Sequence, residues 1–143
     1  MDTADDDRLA ALLKRTQHAL DVHLDRSLQA IGLTRAQYSA LATLDAETRL
    51  SNAELARRCH VTAQTMHRVV GLLERAGQVS RRSHPAHGRI QEIAITRRGR
   101  SSVAKARRVV TAVEDEMFAA ASDRDVKIVS RVLRNALAAI EAA

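Results

Sequence analysis

The stretch Leu50–Arg82, "LSNAELARRCHVTAQTMHRVVGLLERAGQVSRR", decides the fold. Ser51 with Glu54 three residues on is a helix-start signal, because the hydroxyl can accept from an otherwise orphaned helix amide. Leu55 and Cys59 follow at helical spacing. Thr62 opens a second pattern, with Met66, Val69, Val70 and Leu73 apolar at three- and four-residue intervals, and Gly77 ends it. Two short helices joined by the turn "CHVT" make a helix-turn-helix. From Val79 the period changes. "VSRRS" and "RIQEIAI" are short and β-prone, and the second run puts Ile93 and Ile95 on one face. Between them, "HPAHG" holds the chain's single proline, Pro85, and the turn-forming Gly88. A basic two-stranded hairpin after a helix-turn-helix is a winged helix.

The flanks read as helices. Upstream, Thr34 and Gln37 in "LTRAQYSALATL" form a capping-box pattern with Tyr38, Leu41 and Leu44 as its apolar stripe. Before it, Leu9, Leu12, Leu13, Thr16, Leu20, Leu24, Leu28 and Ile31 predict a helix from near Asp5 to Gly32, with Asp5, Asp6 and Asp7 at the positive end of its dipole. Downstream, Thr96 caps a long helix from Arg97 to about Ala121, carrying Val103, Val110, Val113 and Met117. Ser122 with Asp125 starts a last one, carrying Val126, Val129, Val132 or Leu133, Ala136, Leu137 and Ile140. The expected fold is mostly α. A winged helix-turn-helix domain with a two-stranded β wing spans 33–100 and is carried on a dimerisation region of an N-terminal helix (1–32) and C-terminal helices (101–143). The apolar stripe of the last helix has nothing after it to cover it, which predicts a homodimer.

Composition agrees. Among the 143 residues, 45% are apolar and 28% charged, the balance of a soluble protein, and no apolar run reaches bilayer length. The start "MDTADDDR" is not a signal peptide, so no membrane and a cytoplasmic location are expected. Cys59, the one cysteine, cannot form an intrachain disulfide. Tyr38 and Phe118 are the only aromatics, so alanine, leucine and valine must fill the core.

Charge points to the partner. From Arg49 to Arg108 there are 14 Lys and Arg against Glu54, Glu74 and Glu92, a local +11, while the remainder carries −5. Such a middle suits a polyanion. Single-strand binding needs aromatic stacking platforms, which are missing, so double-stranded DNA is expected. The second helix of the pair would enter the major groove, presenting Thr62, Gln64, Thr65, His67 and Arg68. Glutamine pairs well with adenine and arginine with guanine. Arg81, Arg82 and Arg89 are the candidate wing contacts.

Other chemistry fares worse. His84 and His87 are too few ligands for tetrahedral zinc, and Cys59 and His60 would point in different directions, so no metal is expected. No nucleophile elbow, phosphate-binding glycine loop or paired carboxylates occur, so neither an enzyme nor a cofactor is expected. A nonspecific nucleoid-type DNA binder and a metal-responsive regulator are the alternatives.

From Leu33 to Arg100 the sequence resembles the MarR family of bacterial transcriptional regulators. The resemblance rests on "LTRAQYSALATL", the opening stretch and "HPAHGRIQEIAITRRGR", in that order. It implies a homodimer joined by the terminal helices and a pseudo-palindromic operator. It implies a repressor, often released by a small-molecule effector, whose binding residues remain unassigned. Peroxide-sensing members carry their reactive cysteine near the start of the first helix, so Cys59 reads as a buried, inert thiol. The wing departs from the family's usual Asp-Pro-x-Asp-Arg-Arg. His84 and His87 stand for the two acids, Gly88 for the first arginine, and Arg89 keeps the second. This makes the tip more cationic below about pH 6.5, where free histidine protonates.

Overall fold

From residue 34 onward, a hydroxyl side chain opens each helix. Thr34, Ser51, Thr62, Thr96 and Ser122 each accept a hydrogen bond from the backbone amide three residues on. The computed structural model describes residues 8–143; the aspartates expected at the first helix start lie outside the described residues. The elements are α1 (Leu9–Gln29), α2 (Arg35–Ala46), β1 (Leu50–Ser51), α3 (Asn52–Arg58), α4 (Ala63–Arg75), β2 (Val79–Ser83), β3 (Gln91–Ile95), α5 (Arg97–Met117) and α6 (Asp123–Glu141).

Three helix ends share one stop. Gly32 (φ +80°), His60 (φ +56°) and Gly77 (φ +72°) are left-handed. Around each, paired amide-to-carbonyl bonds close a Schellman turn: Leu33 to Leu28 and Gly32 to Gln29, Val61 to Ala56 and His60 to Arg57, Gln78 to Leu73 and Gly77 to Glu74. Glycine fits such a position without penalty, whereas His60 occupies it with a side chain.

The wing is the expected hairpin, with Val79 paired to Ile95 and Ser83 to Gln91. A third strand corrects the two-stranded expectation: β1 pairs antiparallel with β3, making the sheet order β1-β3-β2. Two residues are too few to show a strand period, so Leu50 and Ser51 read only as a helix start. The C-terminus of α5 also falls short of Ala121. Ser122 must be extended to cap α6 (φ −76°, ψ 160°), so the chain unwinds before it. The amides of Ala119 and Ala121 bond three residues back, to Glu116 and Phe118.

Two compact units divide the chain, one ending at Val110 and the other Thr111–Ala143. In the first, Leu28, Leu41, Leu44, Leu55, Met66, Val70, Leu73, Ile93 and Val103 are fully buried, and Tyr38 packs at the core's margin. Small residues let the backbones approach. A Cβ on Gly99 would lie 2.1 Å from the Gln78 carbonyl oxygen and 2.6 Å from Ile95 Cγ1. Thr96 fastens the same junction, donating from its hydroxyl to the Gly77 carbonyl (2.7 Å) and from its amide to that of Gln78 (3.0 Å). The base of the wing is therefore pinned to the end of α4. Arg35 ties α2 to α1 through Asp25 and Asp21, and the hydrogen bond it donates to Asp25 leads in raising its pKa further. Among the described residues no helix is long and apolar enough to cross a membrane.

Candidate nucleic-acid interface

Helix α4 is sorted by its period into two faces. Met66, Val69, Val70 and Leu73 are buried, which turns Gln64, His67 and Arg68 to solvent together. Thr62, the N-cap, is also exposed, whereas Thr65 is half-buried. The Thr62 hydroxyl donates to that of Thr65 (2.9 Å) while accepting from the Thr65 amide (3.1 Å), so Thr65 serves the cap as well as the surface. Leu72 and Arg75, not singled out from the sequence, continue the exposed face.

The elements behind α4 fix its N-terminus. Asn52 Nδ2 donates to the Ala63 carbonyl (2.9 Å). Glu54, expected to complete a capping box, instead holds Arg57 and Arg58, and Arg58 also reaches Glu47. Cys59 is the C-cap of α3 rather than an interior position, and it is half-buried rather than enclosed. Its Sγ lies 3.6 Å from Thr43 Oγ1.

The wing's three arginines have different surroundings. Arg81 is drawn back: its side chain is 18% exposed and its Nε lies 3.4 Å from Glu74 Oε2 on α4. Arg82 is exposed, with Nε 3.5 Å from Glu92 Oε2. Arg89 is exposed at the tip and has no ion pair among the described residues. Glu92 is the hub that sequence reading missed. It sits on β3 opposite both Arg82 of β2 and Ser51 of β1, and Arg49 approaches its Oε2 at 4.0 Å. Opposite charges at directly paired positions stabilise a sheet. Counting outward from the "HPAHG" turn would have revealed this pair, had the register been known.

The tip is folded by its own histidine. His84 Nδ1 accepts from the amides of Ala86 (3.0 Å) and His87 (3.2 Å), and its Nε2 lies 3.5 Å from Glu92 Oε1. The His87 ring stands 5.2 Å away, tilted by 32°. Backbone bonds from His84 to Ile90 (2.7 Å) and from Ile90 to His87 (2.9 Å) close the turn. Among the described residues no group of three or more His, Cys, Asp or Glu is arranged to hold a metal ion.

An exposed polar helix face beside a basic hairpin has the form of a duplex-reading surface. Similarity to known proteins points the same way. A model of the MarR family matches residues 31–90. The HTH-type transcriptional repressor Rv2887 of Mycobacterium tuberculosis is 37% identical over 119 residues, 83% of this chain and 86% of the relative. The crystal structure of Rv2887 with DNA superposes with a TM-score of 0.78 at 32% identity, covering 91% of this chain and 98% of that one. Its complex with salicylic acid gives 0.74 at 34% identity, covering 92% and 98%.

Proposed function

The chain belongs to the MarR family, and from that premise we propose that it is a DNA-binding transcriptional repressor that meets a pseudo-palindromic operator as a homodimer. The observation that carries this reading is the shared outward face of Gln64, His67 and Arg68 on a capped helix, beside a wing with Arg82 and Arg89 exposed. In this reading Gln64, His67 and Arg68 read base edges from the major groove, with Thr62 and Thr65 at the helix start. Arg82 and Arg89 meet the backbone or minor groove, and Arg81 steadies the wing against α4. Residues 33–100 form the DNA-binding domain, and 1–32 with 101–143 form the dimer.

The dimer has its own support. No residue of α6 is buried, and Val129, Val132, Leu133, Leu137 and Ile140 are exposed along it. A pseudo-palindromic operator read by such a dimer places the two copies of α4 about one DNA turn apart, roughly 34 Å. Regulators of this family are generally not enzymes, and the chain works by binding, in the cytoplasm. Relief by a small molecule belongs to the reading, supported by the Rv2887 complex with salicylic acid.

Selection of bound sequences from random duplexes tests it. One palindromic motif, with half-sites about one turn apart, is the expected result. Equal recovery of all sequences would instead identify a nonspecific binder. Salicylic acid added to the selected duplex complex is expected to lower affinity, and zinc to leave it unchanged.

A further inference from the structure

The wing tip is built around a bare ring nitrogen. In turns of this kind an Asp or Asn oxygen ordinarily accepts the amides two and three residues on. Here His84 Nδ1 takes that place, accepting from Ala86 and His87. A ring nitrogen accepts only while it carries no proton, so the proton of this imidazole is on Nε2, which faces Glu92 Oε1 at 3.5 Å. Tautomer and turn are thus set together.

We propose that His84 is the positioning residue of the wing tip, its neutral imidazole holding the turn through two backbone amides, and that a second proton, arriving at Nδ1, releases the tip. Protonated Nδ1 becomes a donor and turns away from both amides. The same proton makes the contact with Glu92 an ion pair, so the ring keeps its partner while the turn loses its own. The charged and titratable groups around it are Glu92 on β3, Arg82 on β2 and Arg49 before β1, both directed at Glu92, and the His87 ring in the tip. That Arg89, two residues beyond His87, depends on this turn for its presentation to DNA rests on the function proposed above.

Backbone amide NMR of the full chain without DNA, from pH 8 to 5, tests the device itself. The Ala86 amide is expected to move with the same midpoint as the His84 ring, and to do so still in His87→Ala. His84→Asn, which accepts but cannot titrate, is expected to hold that amide at its high-pH position throughout. His84→Ala is expected to show the released position already at pH 8. An Ala86 amide that ignores the His84 ring, or that keeps its pH dependence in His84→Asn, would overturn the proposal. Duplex affinity at pH 7.5 reads the consequence: about fivefold weaker for His84→Ala, the worth of one typical hydrogen bond, and restored by His84→Asn. If the amides behave as stated and affinity does not change, the tip device stands and the wing's part in DNA binding is what fails.

Discussion

His60→Gly is expected to stabilise this protein without altering its contacts. His60 is the left-handed residue of the turn between α3 and α4, with φ +56°. A side chain in that region costs about 1–2 kcal/mol, less for residues that tolerate it. Its ring is exposed and makes no hydrogen bond among the described residues, so nothing in the side chain offsets the cost. The bonds that close the turn, from the His60 amide to Arg57 (3.2 Å) and from that of Val61 to Ala56 (3.1 Å), are backbone bonds and survive the change. Glycine loses more entropy on folding, about 0.5–1 kcal/mol. The net gain is therefore about 0.5–1 kcal/mol per chain, or a melting temperature raised by roughly 1–4 °C. Urea unfolding at fixed protein concentration reads it as a higher midpoint with an unchanged slope. Gly32→Ala is the mirror experiment. It has the same turn and φ +80°, with nothing within 4 Å of an added Cβ, so its loss of about 0.5–1 kcal/mol is backbone strain less the entropy term, with no steric contact added. A lower midpoint for His60→Gly would refute the strain argument. A higher midpoint with lost operator affinity would instead show that the strain is kept for a contact with DNA.

Gly99→Ala is expected to cost about 1–3 kcal/mol, because the added methyl meets the Gln78 carbonyl rather than a movable side chain; equal stability would mean that the junction gives way easily. Gln64→Ala and Arg68→Ala should each relax base preference at one operator position per half-site by about 1–3 kcal/mol if the contact is bidentate, and an equal loss on operator and random duplex would reassign the residue to phosphate. Arg89→Ala should reduce the salt slope of duplex binding by roughly 1.8 for a dimer with one phosphate neutralised per wing, leaving the base preference intact.

Much of this was legible because helix caps are local. Thr34, Thr62 and Ser122 announce their helices within four residues, and the structure places each cap where the pattern puts it. The face of α4 was equally legible, since four buried apolar residues at helical spacing leave few orientations for Gln64, His67 and Arg68. What escaped was whatever depends on a partner distant in sequence. β1 exists only because β3 lies beside it, and Glu92 becomes a hub only through the register that sets it against Arg82 and Ser51. The left-handed His60 escaped for another reason. Glycine advertises such a position, while a histidine there looks like any other exposed polar residue.

The net charge of the basic middle already subtracts its three acids, and the ion pairs show which cations those acids engage. Arg57 and Arg58 are held by Glu54, Arg81 by Glu74, Arg49 and Arg82 by Glu92, and Arg100 and Arg107 by Asp45. The three acids of the middle stretch are thus engaged by its own arginines, and Asp45 joins them from α2. Arg68 and Arg75 on α4, Arg89 at the tip, and Arg97 and Arg98 at the start of α5 have no such partner among the described residues. A phosphate that met these side chains would displace no protein carboxylate, so in the proposed complex they would supply counterion release at full strength. Arg82 is intermediate, since it must share Glu92 with Arg49 and His84 or leave it. The charge count marks Arg49–Arg108, and the pairing separates its cations engaged by carboxylates from those that have none among the described residues.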